Sequence, residues 1–142
     1  MPNTKRWKPH SVTGSKTTPP KRGEIWFANL EPQAHSVEPG KERPVLVLQR
    51  DSISAAEQYR SVIVIPGTSQ LKGPGDAMPL RARIHARGKL RKDTDFLVGQ
   101  VRAIAKERLT RGPLATLSKA ETDLVAQALA EVCGLPPPSF IG

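Results

Sequence analysis

Two segments of this sequence join an apolar run to a polar side chain that is able to do chemistry. Arg43 precedes the apolar run 44–48, and Thr68 follows the run 62–66 after one glycine. Consecutive apolar residues are typical of strands that are covered on both faces. A residue at the end of such a strand reaches solvent while it is held on a rigid frame. An arginine and a hydroxyl held in this way suit the binding of a phosphodiester.

Short strands are the elements that must position these two residues. β-Branched, aromatic and aliphatic residues recur in short runs that fit a pleated surface. The predicted strands span Glu24–Leu30, Pro44–Gln49, Ser61–Pro66, Met78–His85, Phe96–Val98 and Gln100–Ile104. In the fourth of them the period is close to two, which predicts a buried face and a basic outer face that carries Arg81 and Arg83. The basic run continues to Lys92, and no acidic residue lies within 81–92.

A C-terminal amphipathic helix is the clearest predicted element. Ser118 and Glu121 have the spacing of a capping box, in which each side chain binds a free backbone N–H at the start of a helix. Gly134 predicts its end. The predicted apolar face consists of Ala120, Leu124, Ala128 and Val132, flanked by Val125 and Leu129. A second, short helix is predicted from Asp51 to Tyr59, with Asp51-Ser52 as its cap.

The charge of the chain is high and uneven. The 142 residues carry a formal net charge of +9, which indicates a polyanionic partner. Residues 1–22 contain six of the basic residues and no acidic one, so much of the excess belongs to the N-terminus. We therefore predict a basic N-terminal extension over residues 1–20 that has no fixed structure, one domain over 21–135, and a short tail over 136–142.

Several classes of function are disfavoured by composition. The single cysteine, Cys133, forms no intramolecular disulfide, which fits a reducing cytoplasm. The sequence contains no zinc-ligand or nucleotide-binding motif, so we expect no metal and no other cofactor. No apolar run approaches the length of a membrane span, so we expect no membrane partner. Aromatic residues make up only 4% of the chain, which argues against an extended platform for stacking bases.

A set of short motifs, taken together and in order, resembles one family. The sequence is similar to the MazF/PemK/Kid toxins, the ribonuclease halves of toxin–antitoxin pairs, over about residues 21–135. The motifs that carry the resemblance are Lys21-Arg22-Gly23-Glu24-Ile25-Trp26, Glu31-Pro32, Arg43-Pro44-Val45-Leu46-Val47, Pro66-Gly67-Thr68-Ser69, Gly99-Gln100-Val101-Arg102-Ala103-Ile104 and Lys106-Glu107-Arg108-Leu109. The resemblance implies a mainly β fold with α, namely an SH3-like small barrel that the C-terminal helix closes.

The same resemblance implies a function and its residues. It implies a homodimeric toxin, controlled by a cognate antitoxin, that cleaves single-stranded RNA such as mRNA at short sequences without metal. Arg43 and Thr68 match the arginine and threonine of the family's active site. Attack by the ribose 2′-OH would give a 2′,3′-cyclic phosphate and a 5′-OH. The candidate RNA-binding residues are His35, Glu38, Ser69, Gln70, Arg81, Arg83 and Gln100.

Some alternatives remain open from the sequence. His35 is either an acid–base group or a solvated loop residue, and the basic strand 81–87 either contacts phosphates or forms a soluble face. The chain also departs from the family pattern. Loop 31–42 is about one residue longer, and Gly67 stands where a β-branched residue is common. Two rival functions are a gyrase poison of the CcdB type, which would not need Arg43 and Thr68, and a non-catalytic RNA-binding barrel.

Overall fold

The computed structural model describes residues 18–30, 42–73 and 78–136. Within these ranges the fold consists of short strands, two helices and two 3₁₀ turns. The strands are β1 Glu24–Asn29, β2 Glu42–Val47, β3 Ser61–Thr68, β4 Arg81–Ile84, β5 Thr94–Leu97, β6 Arg102–Ala105 and β7 Leu109–Thr116. The helices are α1 Asp51–Ser54 and α2 Lys119–Val132, and the 3₁₀ turns are Val98–Gln100 and Lys106–Arg108.

The strands form one antiparallel sheet with the order β4-β5-β3-β2-β1-β7, while β6 pairs with the first half of β3. The sheet curls until its two edges approach each other. Within the described residues, no strand pairing joins β4 to β7. Instead, the Lys89 N–H in the turn after β4 donates a 2.7 Å hydrogen bond to the Leu114 carbonyl of β7. The predicted mainly β fold with a C-terminal helix is confirmed, although the strand ladder is not continuous around the barrel.

The central strands are covered on both faces, as their apolar runs predict. On β2, Leu46 belongs to the cluster that packs under α2, whereas Val45 and Val47 belong to a second cluster on the opposite face. All three side chains are fully buried. Because alternate residues of a strand point to opposite faces, this double burial fixes the register of β2 between β1 and β3.

Helix α2 begins and ends where its capping residues predict. The Ser118 hydroxyl accepts the Glu121 N–H at 3.1 Å, and the Glu121 carboxylate accepts the Ser118 N–H at 2.9 Å. At the other end Gly134 adopts a φ of +71°, and the Leu135 N–H reaches back to the Ala130 carbonyl. This is the Schellman arrangement that a terminal glycine favours.

The predicted apolar face of α2 is partly wrong. Thr122, Val125 and Ala128 are the buried residues, and Leu129 packs against the same core. Leu124 is 57% exposed. Successive helical residues are about 100° apart, so Leu124 lies well around the helix from Val125 and does not share its face.

Three other local predictions need correction. Helix α1 ends at Ser54 rather than Tyr59, and Asp51 does not cap it, because Asp51 Oδ1 accepts the Arg22 N–H at 2.8 Å. The segment 98–100 is a 3₁₀ turn rather than part of a strand. Strand β7 was not predicted at all.

None of the helices in the described ranges combines the length and apolar character that crossing a membrane requires.

Candidate functional site

Arg43 and Thr68 line the same groove, which has a volume of about 790 Å³. Their proximity follows from the pairing of β2 with β3. The antiparallel ladder of these two strands ends at the pair Val45 and Pro66, and Arg43 and Thr68 each lie two residues beyond that pair, at the same end of the two strands. The start of β2 and the end of β3 therefore bring together two residues that are far apart in the sequence.

The electrostatic character of the groove is strongly basic. Besides Arg43, the basic residues that line it are Lys89, Arg91, Lys92 and Arg111. Glu42 is the one carboxylate among the described lining residues. Apolar side chains form the rest of the wall: Phe27, Pro44, Leu90, Pro113 and Leu114. Such a groove attracts a polyanion and offers apolar surface beside each charge.

Arg43 is exposed in this groove, and its backbone is held opposite Ala28 of β1. No carboxylate within the described ranges forms an ion pair with its guanidinium. A guanidinium presents a planar fork of N–H donors that matches two oxygens of a phosphate. The side chain is thus available for bidentate binding of an anion.

The Thr68 hydroxyl has a defined orientation. Thr68 Oγ1 accepts the Gln70 N–H at 3.1 Å, as in the local turns that hydroxyl residues favour. The oxygen is then fixed by this contact, and the hydroxyl proton can be donated to a second group. In the groove that Arg43 also lines, this arrangement suits a hydrogen bond to an anionic oxygen.

Gly67 is required by the packing beneath Thr68. A Cβ atom at this position would lie 2.6 Å from Thr94 Cγ2 and 2.9 Å from Phe96 Cε1. Phe96 is fully buried and pairs with Gly67 across β3 and β5. Thr94 and Phe96 thus occupy the space that a side chain at position 67 would need.

Replacing Gly67 with alanine is expected to lower the free energy of unfolding by about 1–3 kcal/mol, because Thr94 and Phe96 must move to accept the new methyl group. The matched control is Gly99→Ala, where the nearest atoms to a new Cβ are 3.9 Å away or more. Urea unfolding of both variants gives the comparison. Equal stabilities would contradict this account of the packing.

Arg81 and Arg83 are not among the groove-lining residues, and their predicted solvent-facing role needs correction. Both bind Asp95, which is fully buried: Arg81 Nη1 lies 2.9 Å from Oδ2, and Arg83 Nε lies 2.8 Å from Oδ1. The Arg83 side chain is only 9% exposed. The hydrogen bonds from Arg83 hold the pKa of Asp95 below its ordinary value, against the effect of burial.

The cluster of Arg81, Arg83 and Asp95 lies next to Thr68 in the sheet. Asp95 is the cross-strand partner of Thr68 on one side and of Arg83 on the other. Arg83 Nη2 also donates to the Gly73 carbonyl at 3.3 Å, so it anchors the segment that follows Thr68. Arg81 and Arg83 therefore hold the strand that carries the site.

Only some of the other predicted RNA-binding residues lie at the groove. Ser69 lines the groove, and Gln70 is exposed directly after it. Gln100 is exposed in the 3₁₀ turn that follows β5 and is not among the lining residues. His35 and Glu38 lie outside the described residues. Within the described ranges, no group of three or more histidine, cysteine, aspartate or glutamate side chains could hold a metal ion.

Arg111 is a lining residue that the sequence reading missed. It pairs with Phe27 across β7 and β1, and its guanidinium lies 4.6 Å from the centre of the Phe27 ring. Its side chain is 67% exposed. The sequence offers a short signal for this strand, the alternation Leu109-Thr110-Arg111. Because Gly112-Pro113 interrupts it, the segment resembles a loop.

Comparisons with known proteins agree with this geometry. Residues 21–133 match the family described as PemK-like, MazF-like toxin of type II toxin-antitoxin system. The chain is 34% identical over 113 residues to the endoribonuclease MazF9 of Mycobacterium tuberculosis, covering 77% of this chain and 92% of that protein. It is 37% identical over 91 residues to the endoribonuclease EndoA of Bacillus subtilis, covering 63% and 74%.

Solved structures share the fold. A crystal structure of MazE-MazF from Deinococcus radiodurans superposes with a TM-score of 0.63 at 19% identity, covering 84% of this chain and all of that one. At this identity the likeness concerns the fold alone. The family match over residues 21–133 and the two relatives above 30% identity settle the assignment. The chain belongs to the PemK-like, MazF-like toxins of type II toxin–antitoxin systems.

Proposed function

We propose that this toxin is a sequence-specific endoribonuclease that cleaves single-stranded RNA, including mRNA, by attack of a ribose 2′-OH on the adjacent phosphate. The observation that carries the proposal is that Arg43, at the start of β2, and Thr68, at the end of the adjacent strand β3, both line one basic groove. The relatives MazF9 and EndoA support it, since both are named as endoribonucleases.

The two residues supply electrostatic stabilisation and positioning. Arginine remains protonated at neutral pH, so it is a poor proton donor and a good ligand for phosphate oxygens. As the 2′ oxygen attacks, negative charge builds on the non-bridging oxygens, and the Arg43 fork binds them more strongly. The Thr68 hydroxyl, fixed by the Gln70 N–H, donates to the same phosphate. The products are a 2′,3′-cyclic phosphate and a 5′-OH.

The remaining basic residues of the groove bind the flanking phosphates. Lys89, Arg91 and Lys92 lie within four residues of one another before β5, and Arg111 lies on β7. Contacts of this kind position a strand without reading its bases. Bound in this way, the RNA chain places one phosphate between Arg43 and Thr68. Ser69 and Gln70, next to Thr68, are the predicted contacts to the neighbouring nucleotide.

Control by an antitoxin fits the same groove. The related Deinococcus radiodurans structure is a MazE-MazF complex. We propose that a cognate antitoxin inserts an acidic or apolar segment into this groove. The basic side chains would bind an acidic segment, and the apolar wall would bind an apolar one. A cytoplasmic homodimer is the proposed working form, and residues 1–20 are proposed as an extension outside the toxin domain.

The test is cleavage of a long single-stranded RNA in EDTA by the purified toxin, free of antitoxin, with all product ends mapped. Discrete cuts that carry 2′,3′-cyclic phosphate and 5′-OH ends are expected, while double-stranded RNA and single-stranded DNA stay intact. RNA that binds with steep salt dependence but stays whole would indicate the RNA-binding barrel instead. Intact RNA together with inhibition of DNA gyrase would indicate a gyrase poison.

A further inference from the structure

One groove-lining residue has no role in the function proposed above. Glu42 directly precedes Arg43 at the start of β2, and it is the only carboxylate among the described lining residues. A negative charge in a groove built for a polyanion weakens substrate binding, so its presence there calls for a chemical explanation.

The Glu42 carboxylate is held by one of its two oxygens. Oε2 accepts the Thr110 hydroxyl proton and lies 3.7 Å from Arg111 Nε. Oε1 makes no hydrogen bond within the part of the chain that the structure describes. Strand pairing fixes both sides of the contact, since Glu42 pairs with Asn29 of β1 while Arg111 pairs with Phe27 of the same strand. The carboxylate is therefore fixed in position, with Oε1 left for another partner.

The reaction needs a proton acceptor that the other described groove residues do not offer. Arginine and lysine side chains are hydrogen-bond donors with no acceptor site, and hydroxyls such as those of Thr68 and Ser69 are very weak bases. A carboxylate is ionised at neutral pH and accepts protons readily. Resting on the ribonuclease function proposed above, we propose that Glu42 is the general base that removes the proton from the attacking 2′-OH.

The step balances without any further reactant except water. The 2′-OH proton passes to Glu42 Oε1 while the 2′ oxygen forms a bond to phosphorus. The bond between phosphorus and the 5′ oxygen then breaks, and the departing 5′ oxygen takes a proton from water. Glu42 afterwards returns its proton to solvent. Arg43, which lines the same groove, stabilises the phosphate during the same step.

The variant Glu42→Gln separates this role from a structural one. The amide oxygen of glutamine still accepts the Thr110 hydroxyl, so a merely structural role is preserved, whereas the proton acceptor is lost. We expect single-turnover cleavage of a short RNA to fall about 10²- to 10⁴-fold, the usual contribution of a general base. We expect affinity for an uncleavable RNA with one 2′-deoxyribose at the cut site to be unchanged or tighter.

The pH profile gives a second, independent readout. The wild-type rate is expected to reach a plateau as pH rises, as is usual when a side chain of the enzyme is the base. In Glu42→Gln only hydroxide or water remains as the base, so the slow rate should keep rising with pH. Glu42→Asp keeps a carboxylate and should keep the plateau at a lower rate. Glu131→Gln, an exposed carboxylate at the end of α2, is the matched control and should behave as wild type.

Each other outcome overturns the proposal. A wild-type rate and pH plateau in Glu42→Gln would show that Glu42 takes no proton, while the ribonuclease function would stand. Loss of affinity for the 2′-deoxy RNA in proportion to the loss of rate would make Glu42 a binding residue. No cleavage by the wild-type toxin would overturn both this proposal and the function on which it rests.

Discussion

Arg43→Ala is expected to lower the rate of RNA cleavage about 10²- to 10³-fold, the usual effect of removing one donor that stabilises a developing oxyanion. Arg43 is exposed in the groove that Thr68 also lines, and no described carboxylate forms an ion pair with it. Its loss therefore removes phosphate stabilisation and leaves no buried charge without a partner. The measurement is single-turnover cleavage of a short RNA that contains one mapped site, in EDTA.

The control for this prediction is Arg60→Ala. Arg60 is highly exposed, makes one long contact of 3.9 Å to Glu107, and is not among the groove-lining residues. Its removal deletes the same charge and should leave the cleavage rate unchanged. Arg43→Lys keeps the charge but not the fork, and we expect it to restore only part of the rate. An Arg43→Ala rate equal to that of Arg60→Ala would refute the role of Arg43.

Asp95→Ala is expected to destabilise the fold by about 3–5 kcal/mol, because the substitution strands two largely buried arginines without their carboxylate. Arg81 and Arg83 both bind this fully buried side chain, and Arg83 binds both of its oxygens. Urea unfolding, followed by the fluorescence of buried Trp26, measures the loss. Asp93→Ala is the control, since Asp93 is on the same loop-to-strand segment but is partly exposed. A similar small loss in both variants would contradict the structural role of Asp95.

The same cluster predicts how stability depends on pH. Hydrogen bonds from Arg83 hold the pKa of Asp95 below its ordinary value in the folded protein. The unfolded chain therefore takes up the proton first as pH falls, and folding loses this contribution between the ordinary pKa and the lower folded one. Stability should be fully supported above the ordinary aspartate pKa and should decline below it. In Asp95→Asn this part of the acid dependence should disappear, and an unaltered acid slope would argue against it.

The positions of Arg43 and Thr68 at the ends of strands were predictable because strong local signals lie next to them. Unbroken apolar runs predict β2 and β3, and polar residues at the ends of buried strands reach solvent. The strand pairing that brings Arg43 and Thr68 to the same end of β2 and β3 could not be predicted from either run alone, since it depends on which strands pair and in what alignment. The local pattern does not show that Arg43 and Thr68 act together, and that expectation came from the resemblance to a family.

Strand β7, which carries Arg111, could not be predicted, because Gly112 and Pro113 interrupt it and both residues usually mark a loop. The structure gives the reason for a glycine at position 112. A Cβ at Gly112 would lie 2.5 Å from the Trp26 ring, so only glycine lets β7 lie against β1 there. A close approach between two strands is a tertiary feature, and a single sequence shows only the breaker.

The buried arginines of β4 were misplaced for a related reason. Alternation along Met78–His85 correctly predicts that Ala82 and Ile84 are buried, yet it assigns the opposite face to solvent. That face is covered because Asp95 of β5 lies across from Arg83 and provides a buried partner for the charge. A charged residue predicts an exposed side chain only when strand pairing places no residue of opposite charge beside it.

The most direct test of the central claim uses one short RNA in two forms, incubated with the wild-type toxin in EDTA. The first form carries ribose throughout, and the second carries a single 2′-deoxyribose on the 5′ side of the mapped cut. Attack by the 2′-OH within the groove of Arg43 and Thr68 predicts that the first is cut to a 2′,3′-cyclic phosphate and that the second is bound but stays whole. Cleavage of the deoxy-substituted RNA at the same position would contradict the account.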